Sequence, residues 1–192
     1  MLASTDPIST FLPDLDTWII ADTHFFHANI GRYCDRPDGW QDLIVANWNR
    51  LIGPGETVFH LGDLALGKRE QTEVLIPKLN GTIYLMRGNH DRRGRAFFEG
   101  LGIQLVKDPL LLELEAWPRL IFSHRPVFPL LPGALNLHGH IHNNPHPEVG
   151  PRHVNMSIEV RDYRPWRLGE VLQAFPAGIT SPPGASARRT PR

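Results

Sequence analysis

The chain has 192 residues, 20 Lys+Arg against 20 Asp+Glu, and 41% hydrophobic residues. This size and balance fit one domain with its own core and exclude a coiled coil, a collagen and a wholly disordered chain. No apolar run approaches the ~20 residues of a membrane helix, and a formal net charge of +0 argues against general binding of long polyanions.

Residues 1–16 are polar and Pro-punctuated and read as a loose arm; they lack the basic and apolar regions of a secretory leader. With one cysteine, Cys34, no internal disulfide is expected, and the expected compartment is the cytoplasm. Apolar, β-branched runs predict strands over 17–21, 57–61, 82–86, 120–122, 134–137 and 154–158. Helical patterns fall between them, over 40–52 with Asp38 as cap, 68–78 limited by Pro77, 92–100 and 167–175. The alternation is that of a single α/β domain over 17–175. The stretch 176–192, dominated by Pro, Gly, Ser and Ala, reads as a disordered tail.

Five of these strands end alike, with a carboxylate, carboxamide or imidazole just beyond the apolar run. Asp22 and His24 follow the first, Asp63 the second, Asn89 and His90 the third, His124 the fourth, and His140 and His142 the fifth. In open α/β sheets the functional crevice lies outside the carboxyl ends of the strands, so these groups are expected to converge. All are O or N donors, suited to Mn²⁺, Fe, Zn²⁺ or Ni²⁺. Seven donors exceed the needs of one tetrahedral Zn²⁺ and suit two cations sharing a carboxylate. His60 and His138 read as hydrogen-bonded structural residues, His146 and His153 as surface groups, and Trp48 as a packing anchor.

The series Asp22-Thr23-His24, Gly62-Asp63, Gly88-Asn89-His90-Asp91, His124 and Gly139-His140-Ile141-His142 resembles the calcineurin-like metallophosphoesterases, in their small, cap-less bacterial form. The stretches ADTHFFHANI, RYCDRP and VNMSIEVRDYRPW add to the likeness. The resemblance implies an α-β-β-α fold, a two-sheet β-sandwich flanked by helices. It implies that Asp22, His24 and His142 hold one divalent ion, that Asn89, His124 and His140 hold the other, and that Asp63 bridges them. Mn²⁺ is the first expectation for both, with Fe, Zn²⁺ or Ni²⁺ as alternatives. Where many members carry a second Asp after Gly-Asp, this chain has Leu66, which leaves Asp91 as the candidate to orient His90.

The expected activity is hydrolysis of phosphoesters by a metal-bridging hydroxide, with His90 as general acid. His27 and Asn29, just past the first block, and Arg32 and Arg125, beside the blocks, are the candidate substrate-binding residues, since an Arg fork fits phosphate. The short interval between the third and fourth blocks leaves no room for a cap, so phosphodiesters are favoured, of nucleotide or short-oligonucleotide type. The alternatives are a phosphomonoesterase or protein phosphatase on the same site, and a non-catalytic metal-binding scaffold. The expected state is monomer or homodimer, without a membrane partner.

Overall fold

The fold is described from a computed structural model over residues 11–113 and 117–174. The tail expected at 176–192 and residues 1–10 of the arm lie outside the described residues.

Two sheets form the body. In the first, β1 (Trp18–Ile20), β2 (Thr57–His60), β3 (Thr82–Met86) and β4 (Gln104–Val106) run parallel, and β9 (Trp166–Arg167) pairs antiparallel with β1, giving the order β4-β3-β2-β1-β9. In the second, β5 (Leu110–Leu112), β6 (Arg119–Ser123), β7 (Ala134–His138) and β8 (His153–Asn155) stand in chain order, with only β5 antiparallel. The helices are α1 (Ile30–Tyr33), α2 (Trp40–Leu51), α3 (Arg69–Leu75), α4 (Arg95–Gly100) and α5 (Leu168–Ala174).

The side-chain alternation of a strand divides the core in two. Trp18 and Ile20 of β1, Val58 of β2, and Ile83 and Leu85 of β3 cluster with Ile44 and Trp48 of α2 and with Phe97 and Phe98 of α4. Their neighbours Ile19, Phe59 and Met86 cluster instead with Leu120, Phe122, Leu135, Leu137 and Val154 of the second sheet and with Leu168, Val171 and Leu172 of α5. The first sheet is therefore covered on both faces, which is why its strands read as continuous apolar runs. The two sheets are joined at Ala21, which bridges to Ser157 and whose amide donates to the Met156 carbonyl at 3.1 Å. This is the expected two-sheet sandwich flanked by helices.

Several local expectations are corrected. The helix expected over 68–78 stops at Leu75 and continues as a 3-10 turn, Ile76–Lys78, because Pro77 has no amide to donate. Asp38 does not cap α2; its N-cap is Gly39 at φ 72°, with no side-chain cap. The strand expected over 154–158 ends at Asn155, and the chain then turns into a 3-10 segment, Ile158–Val160. The described part of the arm is docked rather than loose: Phe11 stacks on Tyr84 with centroids 3.9 Å apart and meets Phe59 edge-on at 5.0 Å.

Candidate metal centre

The loops after β1, β2, β3, β6 and β7 meet at one end of the sandwich. Asp22, His24 and His142 bring donor atoms within 4.8 Å of one another, and so do Asp63, His124 and His140. Asp63 lies between the two triads: its Oδ2 is 3.4 Å from His24 Nε2 and 3.4 Å from His124 Nε2. Asn89 joins the second triad, its Oδ1 standing 3.0 Å from His124 Nε2. All seven sequence-predicted donors are thus brought together.

The backbone is bent to achieve this. Asp22, His24, Asp63, His140 and His142 all have positive φ, between 50° and 72°, a region non-glycine residues occupy only where the surroundings over-determine it. The adjoining glycines are needed for room: a Cβ on Gly88 would overlap Asp63 Oδ1, and one on Gly139 would overlap Asp22 Oδ2.

Hydrogen bonds fix which atoms remain free. The amide of His140 (2.8 Å) and the Ser157 hydroxyl (2.7 Å) donate to Asp22 Oδ2. Its Oδ1, like both ring nitrogens of His24, is buried without a partner. His124 Nδ1 is 2.9 Å from the Leu61 carbonyl and so donates to it, leaving the Nε2 lone pair toward Asp63 and Asn89. His142 Nδ1 is 2.9 Å from Glu159 Oε1, which leaves its Nε2 for the first triad. Orphaned buried carboxylate and imidazole atoms are costly in isolation. Facing one another as oxygen and nitrogen donors, they fit divalent cations.

Titration divides the donors into two groups. Burial drives His24 down to about 2 and His140 down to about 4, which keeps both neutral. Burial also opposes protonation of His124, yet Asp63 and Asp22 lift it to about 9. For His142, burial is outweighed by Cys34, Glu159 and Asp22, which lift it to about 10. Burial pushes Asp22 up to about 6. Asp63 is also pushed up by burial, but His124 and His24 hold it below the ordinary carboxylate range.

The supporting layer contains residues outside the five motif blocks, in the RYCDRP and VNMSIEV stretches. Glu159 Oε1 accepts hydrogen bonds from His142 Nδ1 and from the buried Arg36 Nε, both at 2.9 Å. Arg36 also donates to the carbonyls of Asp22 and Thr23, both at 2.8 Å. Cys34 adjoins His142 and Glu159. Glu159 and Ser157 lie in the VNMSIEV stretch, the one signal that could have pointed to them. His60 is structural as expected: the Gly62 amide donates to its Nδ1, and its Nε2 stands 3.0 Å from the Thr23 hydroxyl.

The candidates beyond the donors fare unequally. The rings of His90 and His27 lie 5.1 and 5.4 Å from that of His24, and 5.6 Å from each other. Arg125 and His140 line one cavity. Asn29 is the exposed N-cap of α1 and Arg32 lies exposed in its last turn, and neither hydrogen-bonds to a triad residue among the described residues. Asp91 is corrected. Its carboxylate accepts the amides of Asp63 (2.7 Å), Gly88 (2.9 Å) and Leu64 (3.1 Å), so it pins the Asp63 loop and does not orient the His90 ring.

Among known proteins, the chain is 31% identical over 179 residues to the uncharacterized protein MJ1445 of Methanocaldococcus jannaschii, covering 84% of this chain and 92% of that one. Its fold is similar to that of the protein of unknown function AQ665 from Aquifex aeolicus, with a TM-score of 0.65 and 24% identity over 81% of this chain and 96% of that one. No helix among the described residues is long and apolar enough to cross a membrane. Residues 15–169 match the calcineurin-like phosphoesterase family. That span includes every donor of the two triads, and the chain belongs to this family of metal-dependent phosphoesterases.

Proposed function

We propose that the protein hydrolyses phosphodiesters at a two-cation site. The observation that carries this reading is the place of Asp63, whose single oxygen stands at equal distance from an imidazole of each triad. Asp22, His24 and His142 would hold one ion, Asn89, His124 and His140 the other, and Asp63 both. When bound, such a pair acidifies water and neutralises charge on the phosphoryl oxygens. Mn²⁺ is the first candidate, with Fe, Zn²⁺ or Ni²⁺ behind it.

The chain's own residues do the rest. His90, half-buried beside His24, would give a proton to the leaving oxygen. Arg125, next to His140, would bind a non-bridging phosphate oxygen, and His27 would contact substrate from the opposite side. Diesters are favoured because the interval 92–118 holds only α4, β4, β5 and their connections among the described residues. A cavity of about 380 Å³ adjoins His140, and one of about 260 Å³ adjoins His90.

The test is to strip the protein with chelator, reload it with Mn²⁺, and compare bis(p-nitrophenyl) phosphate with p-nitrophenyl phosphate under matched conditions. The diester should turn over faster. Faster monoester turnover would make the protein a monoesterase. Two bound ions without hydrolysis of any ester in a broad panel would make it a scaffold.

A further inference from the structure

The smaller cavity, of about 260 Å³, is lined by His90 and is basic: Arg92 and Arg93 line it too, with Leu66 and Phe97 as apolar wall. Arg93 is half-buried and held in place. Its Nη2 donates to the Gly67 carbonyl at 2.7 Å, and its guanidinium lies 4.8 Å from the centroid of the buried Phe97 ring. The Arg69 guanidinium lies 5.1 Å from the same centroid, so this ring seats cations and gives no open face to a planar ligand. Arg92 is exposed, and its Nε donates to the Asn89 carbonyl at 3.2 Å.

The neighbouring arginines have partners and these two do not. Arg69 pairs with Glu73 at 2.7 Å and Arg95 with Glu99 at 3.2 Å. Arg92 and Arg93 bond to backbone carbonyls and form no ion pair among the described residues. Asp91 also lines the cavity, but its oxygens are taken by the amides of Asp63, Leu64 and Gly88. The wall position where many relatives carry a second Asp is Leu66, 39% exposed, so that carboxylate is missing as well. A half-buried guanidinium stays charged and is costly without a counter-ion. Held in a fixed fork with N–H groups to spare, it is a ready receptor for carboxylate or phosphate.

We infer that this cavity binds an anionic group on the leaving alcohol, so that the preferred substrates are phosphodiesters whose leaving group carries a second negative charge, as carboxylate or phosphate. The inference rests on the diesterase reading above and names the chemistry of its leaving group. In that reading His90 gives its proton to the leaving oxygen, and His90 lines this cavity. The leaving alcohol is therefore the part of the substrate that enters it, and Arg93, with Arg92 at the exposed side, is the specificity determinant.

The experiment compares methyl 3-carboxy-4-nitrophenyl phosphate with its 3-carboxamide counterpart. The two leaving groups have nearly the same shape and differ in charge, the group at position 3 cannot reach phosphorus, and both release a coloured phenol. The Mn²⁺-loaded wild type should prefer the carboxylate ester in kcat/KM by roughly 5-fold or more. Arg93→Gln should bring that ratio near one, and Arg92→Gln should lower it part of the way. Leu66→Asp keeps both arginines, puts a carboxylate on the wall and should lower the ratio too; it decides the matter if Arg93→Gln does not fold. A phosphonate in place of the carboxylate separates the two anions: a higher ratio than the carboxylate gives names phosphate, and a lower one names carboxylate. Equal turnover of the charged and uncharged esters, or a ratio unmoved by Arg93→Gln, overturns the inference and leaves the diesterase reading standing. Calorimetric binding of the two released phenols gives a readout independent of turnover. The carboxylate phenol should bind more tightly, and Arg93→Gln should remove the difference. If no diester is hydrolysed with any metal, the diesterase reading fails and this binding alone decides. An Arg93-dependent preference for the carboxylate then keeps the cavity as an anion site, and equal binding of both phenols removes it.

Discussion

The two donor triads are similar in composition and differ in what stands behind them. Behind Asp22, His24 and His142 there is a charged layer: Glu159 on His142, Arg36 on Glu159 and on two backbone carbonyls, and the Ser157 hydroxyl on Asp22. Behind Asp63, His124 and His140 the ligand side chains are held by backbone, the Leu61 carbonyl on His124 and the His90 amide on Asp63 at 2.8 Å, while the Asp91 carboxylate pins the Asp63 loop through its amides. A carboxylate behind a ligating imidazole raises its basicity and fixes its tautomer more firmly than a carbonyl does. The first triad should therefore be the tighter site. Two ions should load in two steps, and limited chelation should leave one ion behind.

The strongest test of this asymmetry is Asp63, which stands between the two triads. Asp63→Asn should lower the metal content from two ions to one or none and take diester turnover to background, read by elemental analysis and the p-nitrophenyl assay. A variant that keeps two ions would show that Asp63 is not shared. Next in size is His90→Ala, on the side of the first triad. It should lose roughly 10²–10⁴-fold in turnover of an alkyl diester, and much less with a p-nitrophenyl ester, whose leaving group needs little protonation. Equal losses on both would take the acid role away from His90.

Glu159→Gln addresses the difference directly. It should weaken one ion by roughly 10–100-fold and leave the other near its original affinity, seen as one shifted step in a two-step calorimetric titration. If both steps moved together, the triads would not be separately supported. The smallest effect is the proton count. His142 and His124, raised to about 10 and about 9, carry protons at pH 7, and a metal ion must displace one at each triad. Loading should therefore release about two protons per chain at pH 7, and each site should tighten ~10-fold per unit of rising pH until its histidine titrates. Calorimetry in buffers of different ionisation enthalpy counts these protons. Release of none would mean the histidines are already neutral.

The donors were legible in the sequence because each is announced locally, by an apolar run that stops at a polar residue. His140 and His142, for instance, need only Ile141 between them to share a side. The supporting layer was not. Arg36 meets Glu159 across 123 positions and Ser157 meets Asp22 across 135, and no spacing rule links residues so far apart. Asp91 shows the limit of adjacency: it neighbours His90 in the chain, yet its oxygens face the amides of Gly88, Asp63 and Leu64. The short edge strands β4, β5 and β9 escaped because two or three residues cannot display a period.

Five donor residues on left-handed backbone also carry a thermodynamic signature. Each such non-glycine position costs roughly 1 kcal/mol or more, a load the chain bears for the sake of aiming side chains rather than of folding. Substitutions there need not lower thermal stability. Glycine at position 140 or 142 would relieve the bend while deleting a ligand, so a mutant that melts higher and binds less metal would mark a place where durability has been traded for chemistry.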